Sequence, residues 1–160
     1  MSTKNLFYIL TCVVFCIPFG AGLYEHVAIW PAAYAEPPKS LTMFQGAYGV
    51  ESAPFWMTIH PVTLVLFIIT LILHWRTERK KTVLIAFSIY AAILVVTSIY
   101  FVPELMRIVN TPYSDTIDAD LQKNAALWVN LSLVRLVIGL GACFLMISGL
   151  TRPEKKIQAV

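Results

Sequence analysis

Charge is what this chain has least of. Only 13% of its 160 residues are Asp, Glu, Lys or Arg, whereas 58% are hydrophobic. A soluble protein carries about a quarter charged residues. Residues 5–24, 52–73 and 82–103 contain none of the four charged types, and residues 124–151 contain a single one, Arg135. No water-soluble surface can be built from such runs, and each is long enough to cross a bilayer core, which takes about 20 apolar residues. Cysteine is scarce as well: Cys12, Cys16 and Cys143 all lie inside apolar runs, with no CxxC pair. That weighs against thiol–disulfide exchange and fits small apolar packing residues. The three histidines form no HxxxH or ExxH signature, and the Gly46–Gly49 run lacks the Lys and the strand context of a phosphate loop. Neither repeats nor linkers divide the chain, so residues 1–160 are expected to form one domain.

The apolar runs predict an all-α, polytopic four-helix membrane bundle with spans over about 5–30, 55–75, 83–102 and 124–150. The first run has a signal-like start, with Lys4 ahead of it and small residues at Gly20–Gly22, but it stays apolar to Trp30 and is read as a retained helix. Between the first two spans, residues 41–50 have the amphipathic character of a short surface helix. Pro103 is expected to kink the third span without ending it. Trp30, Trp56 and Trp75 read as interfacial anchors, and His74 as a headgroup-level residue.

The remaining charges set an orientation. Lys4, Arg76, Arg79, Lys80, Lys81, Arg152, Lys155 and Lys156 fall on one side of the predicted spans; only Lys39, Arg107 and Lys123 fall on the other. This places both termini in the cytoplasm. The basic residues merely flank helix ends, which leaves a nucleic-acid partner without support. The expected setting is a multi-pass protein of a bacterial inner membrane, alone, as a homo-oligomer or as a subunit of a larger membrane complex.

Each span carries a smaller or more polar seam at helical spacing. These are Cys12, Cys16, Phe19, Leu23, His26 and Trp30; His60, Thr63, Phe67, Thr70 and His74; Tyr90, Thr97 and Glu104; and Trp128, Ser132, Arg135, Gly139 and Ala142. Such seams turn inward in a bundle. Ionisable residues within a membrane are costly and mark a function or a specific pair. Glu25, His26, His60 and Glu104 gather in one outer layer, with Arg135 deeper. Two imidazoles and two carboxylates form a candidate set for Cu, Fe or Zn, with His60, Glu104 and Arg135 as catalytic candidates. Haem between His26 and His60 is an alternative. A third reading is a structural network in which Glu25 or Glu104 neutralises Arg135 and the histidines bond to Tyr or Trp. No inverted repeat or broken helix points to a transporter.

In the last span, Trp128, Asn130 and Arg135 follow an outer loop containing Asn110, Pro112 and Asp115. With Gly20 and Gly22 in the first span, this resembles the small four-span membrane proteins grouped with the anthrone oxygenases. The resemblance covers the four-span layout over most of the chain. It implies an oxygenase or related oxidoreductase acting on phenolic substrates, with Trp128, Asn130 and Arg135 near the substrate, and it establishes no cofactor. Two functions are therefore expected: a membrane oxidoreductase for a small hydrophobic substrate in a pocket near the outer face, or a non-catalytic subunit or binding protein for a lipid, quinone or haem.

Overall fold

A computed structural model describes residues 1–152, which form helices and loops with no strand element among them. Lys155 and Lys156, counted above on the basic side, lie outside the described residues. Four helices are long and apolar enough to cross a membrane: α1 (Thr3–Ala33), α2 (Ala53–Leu73), α3 (Lys80–Val109) and α4 (Ala119–Thr151). At 1.5 Å per residue α2 extends about 32 Å, close to the hydrocarbon thickness. The other three reach roughly 45–50 Å, so their outer ends project beyond the core. Val13, Val65, Ile72, Val137 and Phe144 are exposed on the outside of the bundle, an exterior suited to lipid. The chain is a multi-pass membrane protein.

The helices form a ring in which α1 packs on α2 and α4, and α3 packs on α2 and α4. This is the arrangement of an up-and-down bundle. Its inner core is Tyr8, Phe15, Phe19, Phe67, Val83, Tyr90 and Met146. At the end that holds both termini, Arg79 ties three chain segments together. Its guanidinium donates to Asn5 Oδ1 at 2.5 Å, to the Arg152 carbonyl at 3.1 Å and to the Leu150 carbonyl at 3.3 Å. Arg79 is buried rather than a free topological charge. His74 is buried beside it, edge-on to Tyr8 at 5.3 Å, and is not a headgroup-level residue.

At the opposite end a second core forms from Trp30, Leu41, Phe101, Ile108, Leu121 and Trp128. Trp30 is a core residue here, not an interfacial anchor, whereas Trp75 remains half-exposed with Lys80 Nζ over its ring. The first outer loop contains a 3₁₀ turn, Lys39–Phe44, instead of a surface helix over residues 41–50. Leu41 plugs the core, and Gln45 Nε2 donates to the Val109 and Thr111 carbonyls of the second loop. The α4 start is capped by Asp118, whose carboxylate accepts from the Asp120 and Leu121 N–H groups, satisfying first-turn donors.

Two π-helical segments interrupt the outer halves of the bundle, Glu25–Ile29 in α1 and Thr97–Phe101 in α3. Each ends two residues before a proline, Pro31 or Pro103. Proline removes a backbone donor and crowds the carbonyl four residues earlier, and a local π turn relieves both in a membrane helix. Pro18 and Pro61 sit inside α1 and α2 with no such segment, so proline alone does not dictate the bulge.

Candidate functional site

The π segments determine where the outer polar residues point. A π turn holds an extra residue, which rotates everything beyond it by about 100° relative to a continuous α-helix. In α3 that turn separates Thr97 from Glu104, and the two no longer share a face. Thr97 faces α4, where its hydroxyl accepts from Arg135 Nη1 at 2.8 Å. Glu104 instead forms a bidentate pair with Arg107, at 2.6 and 2.9 Å. Leu23, expected on the inner seam of α1, is 48% exposed although it precedes the π segment.

Arg135 is held without a direct carboxylate partner among the described residues. Besides Thr97, its guanidinium donates to Ser132 Oγ at 3.1 Å and lies 4.1 Å from the Phe101 ring centroid. Neither Glu104 nor Glu25 closes an ion pair with it, although the Glu25 charge lies within electrostatic reach. A cation over a desolvated aromatic face is stabilised by roughly 2 kcal/mol, which helps to hold a guanidinium at this depth.

Glu25 and His26, adjacent in the α1 π segment, diverge. Glu25 turns toward α2, where the Trp56 indole N–H donates to its Oε1 at 3.3 Å. Trp56 stacks on His60 with ring centroids 5.5 Å apart, and His60 Nδ1 is hydrogen-bonded to the Tyr90 hydroxyl at 2.6 Å. Trp56 is thus a network member, not only an anchor. His26 turns toward α4, with its Nδ1 on the Gly22 carbonyl at 2.7 Å.

Among the described residues no group of three or more His, Cys, Asp or Glu side chains is placed to hold a metal ion. The expected ligand set of Glu25, His26, His60 and Glu104 is therefore not assembled. Glu104 is rotated away by the α3 π turn, and Glu25 and His26 leave their helix in different directions. The cavity beside His26 does not include His60, the other histidine of the haem alternative.

That cavity is the most distinctive feature of the outer half. It has a volume of about 240 Å³ and lies between the outer parts of α1 and α4, lined by His26, Trp30, Tyr34, Gln122, Val129 and Asn130, with Pro31 and Ala126. Three buried polar atoms on its lining residues have no hydrogen-bond partner: His26 Nε2, Trp30 Nε1 and the Tyr34 hydroxyl. Trp30 and Tyr34 stack nearly parallel at 5.5 Å, and Trp128 meets Trp30 edge-on at 4.9 Å. Burial, together with the Glu25 and Glu104 charges, pushes the Tyr34 hydroxyl above its ordinary pKa and keeps it protonated. On the α4 side Gln122, Ala126 and Asn130 are exposed, so the cavity opens along the flank of the bundle.

Of the residues expected near a substrate, only Asn130 lines this cavity. Trp128 stands behind Trp30 with its indole N–H on the Phe101 carbonyl at 2.9 Å, and Arg135 lies about 10 Å further along α4 than Trp128. Tyr34 and Gln122 were not anticipated; the visible signal for Tyr34 was an aromatic four residues after Trp30, one turn further on. Comparison with known protein families, with curated proteins and with solved structures finds no match for this chain.

Proposed function

We propose that this protein binds a small amphipathic ligand drawn from the bilayer, with the ligand's polar head in the cavity between α1 and α4. The observation that carries the reading is a flank cavity of about 240 Å³ lined by His26, Trp30 and Tyr34, each of which has a buried polar atom with no hydrogen-bond partner. Each such atom costs about 1–3 kcal/mol when left unsatisfied, and native proteins leave few of them. The cavity opens on the flank of α1 and α4 at their outer ends, where an amphipathic ligand at the membrane surface can enter. The test is native mass spectrometry of the protein extracted from its own membrane. A small-molecule adduct is expected on the wild type and not on Ala126→Phe, which fills the cavity. Adduct-free spectra of both proteins, in conditions that preserve phospholipid adducts, count against the reading.

An oxidoreductase is the second reading, favoured by the short His60–Tyr90 bond beside Trp56 and by the resemblance of the last span to the anthrone-oxygenase group. The cavity volume of about 240 Å³ is small beside the ~300–1,000 Å³ of typical ligand pockets, which disfavours an enclosed polycyclic substrate. Oxygen uptake with a hydroquinone probe, lost in a folded Tyr90→Phe variant, would support this reading; no uptake by the wild type would end it.

The orientation is part of the proposal: the end gathered by Arg79, with Lys4, Arg76, Lys80 and Lys81, faces the cytoplasm of a bacterial inner membrane. A thiol reagent that cannot cross membranes, applied to intact cells, should label a cysteine placed at Tyr113 and spare one placed at Arg76. The reverse pattern refutes the orientation.

A further inference from the structure

The contact between α1 and α4 runs in a fixed antiparallel register. The Cys143 thiol lies 3.7 Å from the Phe15 carbonyl oxygen. A Cβ at Gly139 would run into the Phe19 ring, and one at Gly22 would touch Leu136 at 3.5 Å. Steps of four and three along α1 are thus matched by steps of four and three back along α4. That register sets Cys16 opposite Ala142, and the Cys16 and Cys143 thiols are in side-chain hydrogen-bond contact. Gly139 and Ala142 are buried between the helices and let the two backbones approach, as a disulfide requires with its Cβ atoms about 3.8 Å apart. Cys12 lies one turn from Cys16 on the same helix, where Cβ atoms stand about 5–6 Å apart, too far for that bond. All three cysteines are free thiols.

Access separates the two partners. Cys143 is buried, whereas Cys16 is half-buried beside Val13, Ile17 and Gly20, which are exposed on the outside of the bundle. Cys16 also lies midway along the uncharged run over residues 5–24, so what approaches it must dissolve in hydrocarbon. A thiolate is costly in such surroundings, and the reactants are neutral thiols. We propose that Cys16 and Cys143 form a redox modification site, which an uncharged, lipid-soluble two-electron oxidant closes to a disulfide between α1 and α4. The oxidant meets Cys16 first. With molecular iodine, the Cys16 sulfur bonds to one iodine atom, the I–I bond breaks, and the thiol proton leaves with iodide as HI. The Cys143 sulfur then bonds to the Cys16 sulfur, the S–I bond breaks, and a second HI leaves. The two thiols have lost two electrons and two protons, and the iodine molecule has become two iodides. The new bond joins the same two helices whose outer ends wall the cavity.

The experiment uses the full chain in lipid nanodiscs, treated with one equivalent of iodine or with tetrathionate, an anion that the bilayer excludes. The protein is then unfolded in SDS with a maleimide, and its intact mass counts the remaining thiols. Iodine is expected to lower that count from three to one, with Cys12 the thiol that remains, and tetrathionate to leave it at three. After iodine, Cys12→Ala should carry no maleimide, whereas Cys16→Ala and Cys143→Ala should each carry two. A non-reducing tryptic map of the wild type should join the peptide that follows Lys4 to the one that follows Arg135, and dithiothreitol should part them. Three thiols after iodine, or a bond to Cys12 or to a second copy of the chain, overturns the site. Equal closure by tetrathionate overturns the uncharged oxidant. Should a variant not fold, fragmentation of the joined wild-type peptides identifies the bonded cysteines by itself.

Discussion

The inner and outer halves of this bundle use the same four helices in opposite ways. In the inner half polar groups bind each other: Thr11 and Thr70 hydroxyls meet at 2.7 Å, Tyr8 donates to the Met146 carbonyl at 2.8 Å, and Arg79 closes the end. The helices approach closely there, because a Cβ at Gly139 would run into the Phe19 ring and one at Gly149 into the Tyr8 hydroxyl. In the outer half two π turns bend the register and a cavity opens, and three buried polar atoms there have no partner, against Thr82 Oγ1 in the inner half. Local openings of this kind concentrate at functional sites, and π turns recur there. The contrast is between a closely packed inner frame and an outer end opened by π turns and a cavity.

The largest effect should come from overfilling the inner half. Gly139→Val would force a branched side chain into the Phe19 ring and is expected to cost about 3 kcal/mol, the upper part of the overpacking range. Gly141, two residues along, meets nothing within 4 Å. Gly141→Ala should be neutral, or stabilising by up to about 1 kcal/mol through helix propensity. Thermal unfolding in detergent measures both. Equal losses at the two glycines would mean that the inner packing is looser than described.

A smaller loss should follow at Arg79. Arg79→Met keeps the stem and removes the donors to Asn5, Leu150 and Arg152, at about 2 kcal/mol, the range for hydrogen bonds to a charged group. Because Arg79 ties the termini together, protease nicking at the chain ends should rise more than cleavage in the outer loops. Uniform cleavage would argue against its role as the tie.

How much of this could be read from the residues follows the same division. The four spans are legible because uncharged runs of this length have one physical outcome, and the inner seams, such as Thr63, Phe67 and Thr70, keep strict helical spacing and are all buried. The outer half misleads, since spacing arguments assume an uninterrupted helix. Counting sevens from Tyr90 through Thr97 to Glu104 crosses a π turn and arrives on the wrong face. Pro103 and Pro31 were visible, yet Pro18 and Pro61 show that proline does not by itself announce a π turn. His26 and Trp30 share a seam by spacing, but the cavity also needs Gln122 and Asn130 beside them, which depends on how the outer ends of α1 and α4 pack and was not readable from the sequence.

The smallest expected change in stability is the most informative, because its sign separates the halves. Tyr34→Phe removes one hydroxyl that has no partner, so in protein stripped of bound small molecules it should be neutral or stabilising by up to about 1 kcal/mol. A comparable deletion in the inner half, Tyr8→Phe, breaks a buried bond to Met146 and should destabilise by about 1 kcal/mol. The two variants also differ in place, since Tyr34 alone lines the outer cavity. Alkaline titration adds a third axis. The folded-state pKa of Tyr34 is raised above the ordinary ~10 of tyrosine, so its protonated form is favoured in the fold. That contribution is fully present below about pH 10 and is lost as the pH rises through the folded value. Tyr34→Phe should therefore flatten the alkaline limb of the stability curve. If it instead destabilises the stripped protein as much as Tyr8→Phe does, the hydroxyl has a structural partner, and the outer cavity is packing rather than a site.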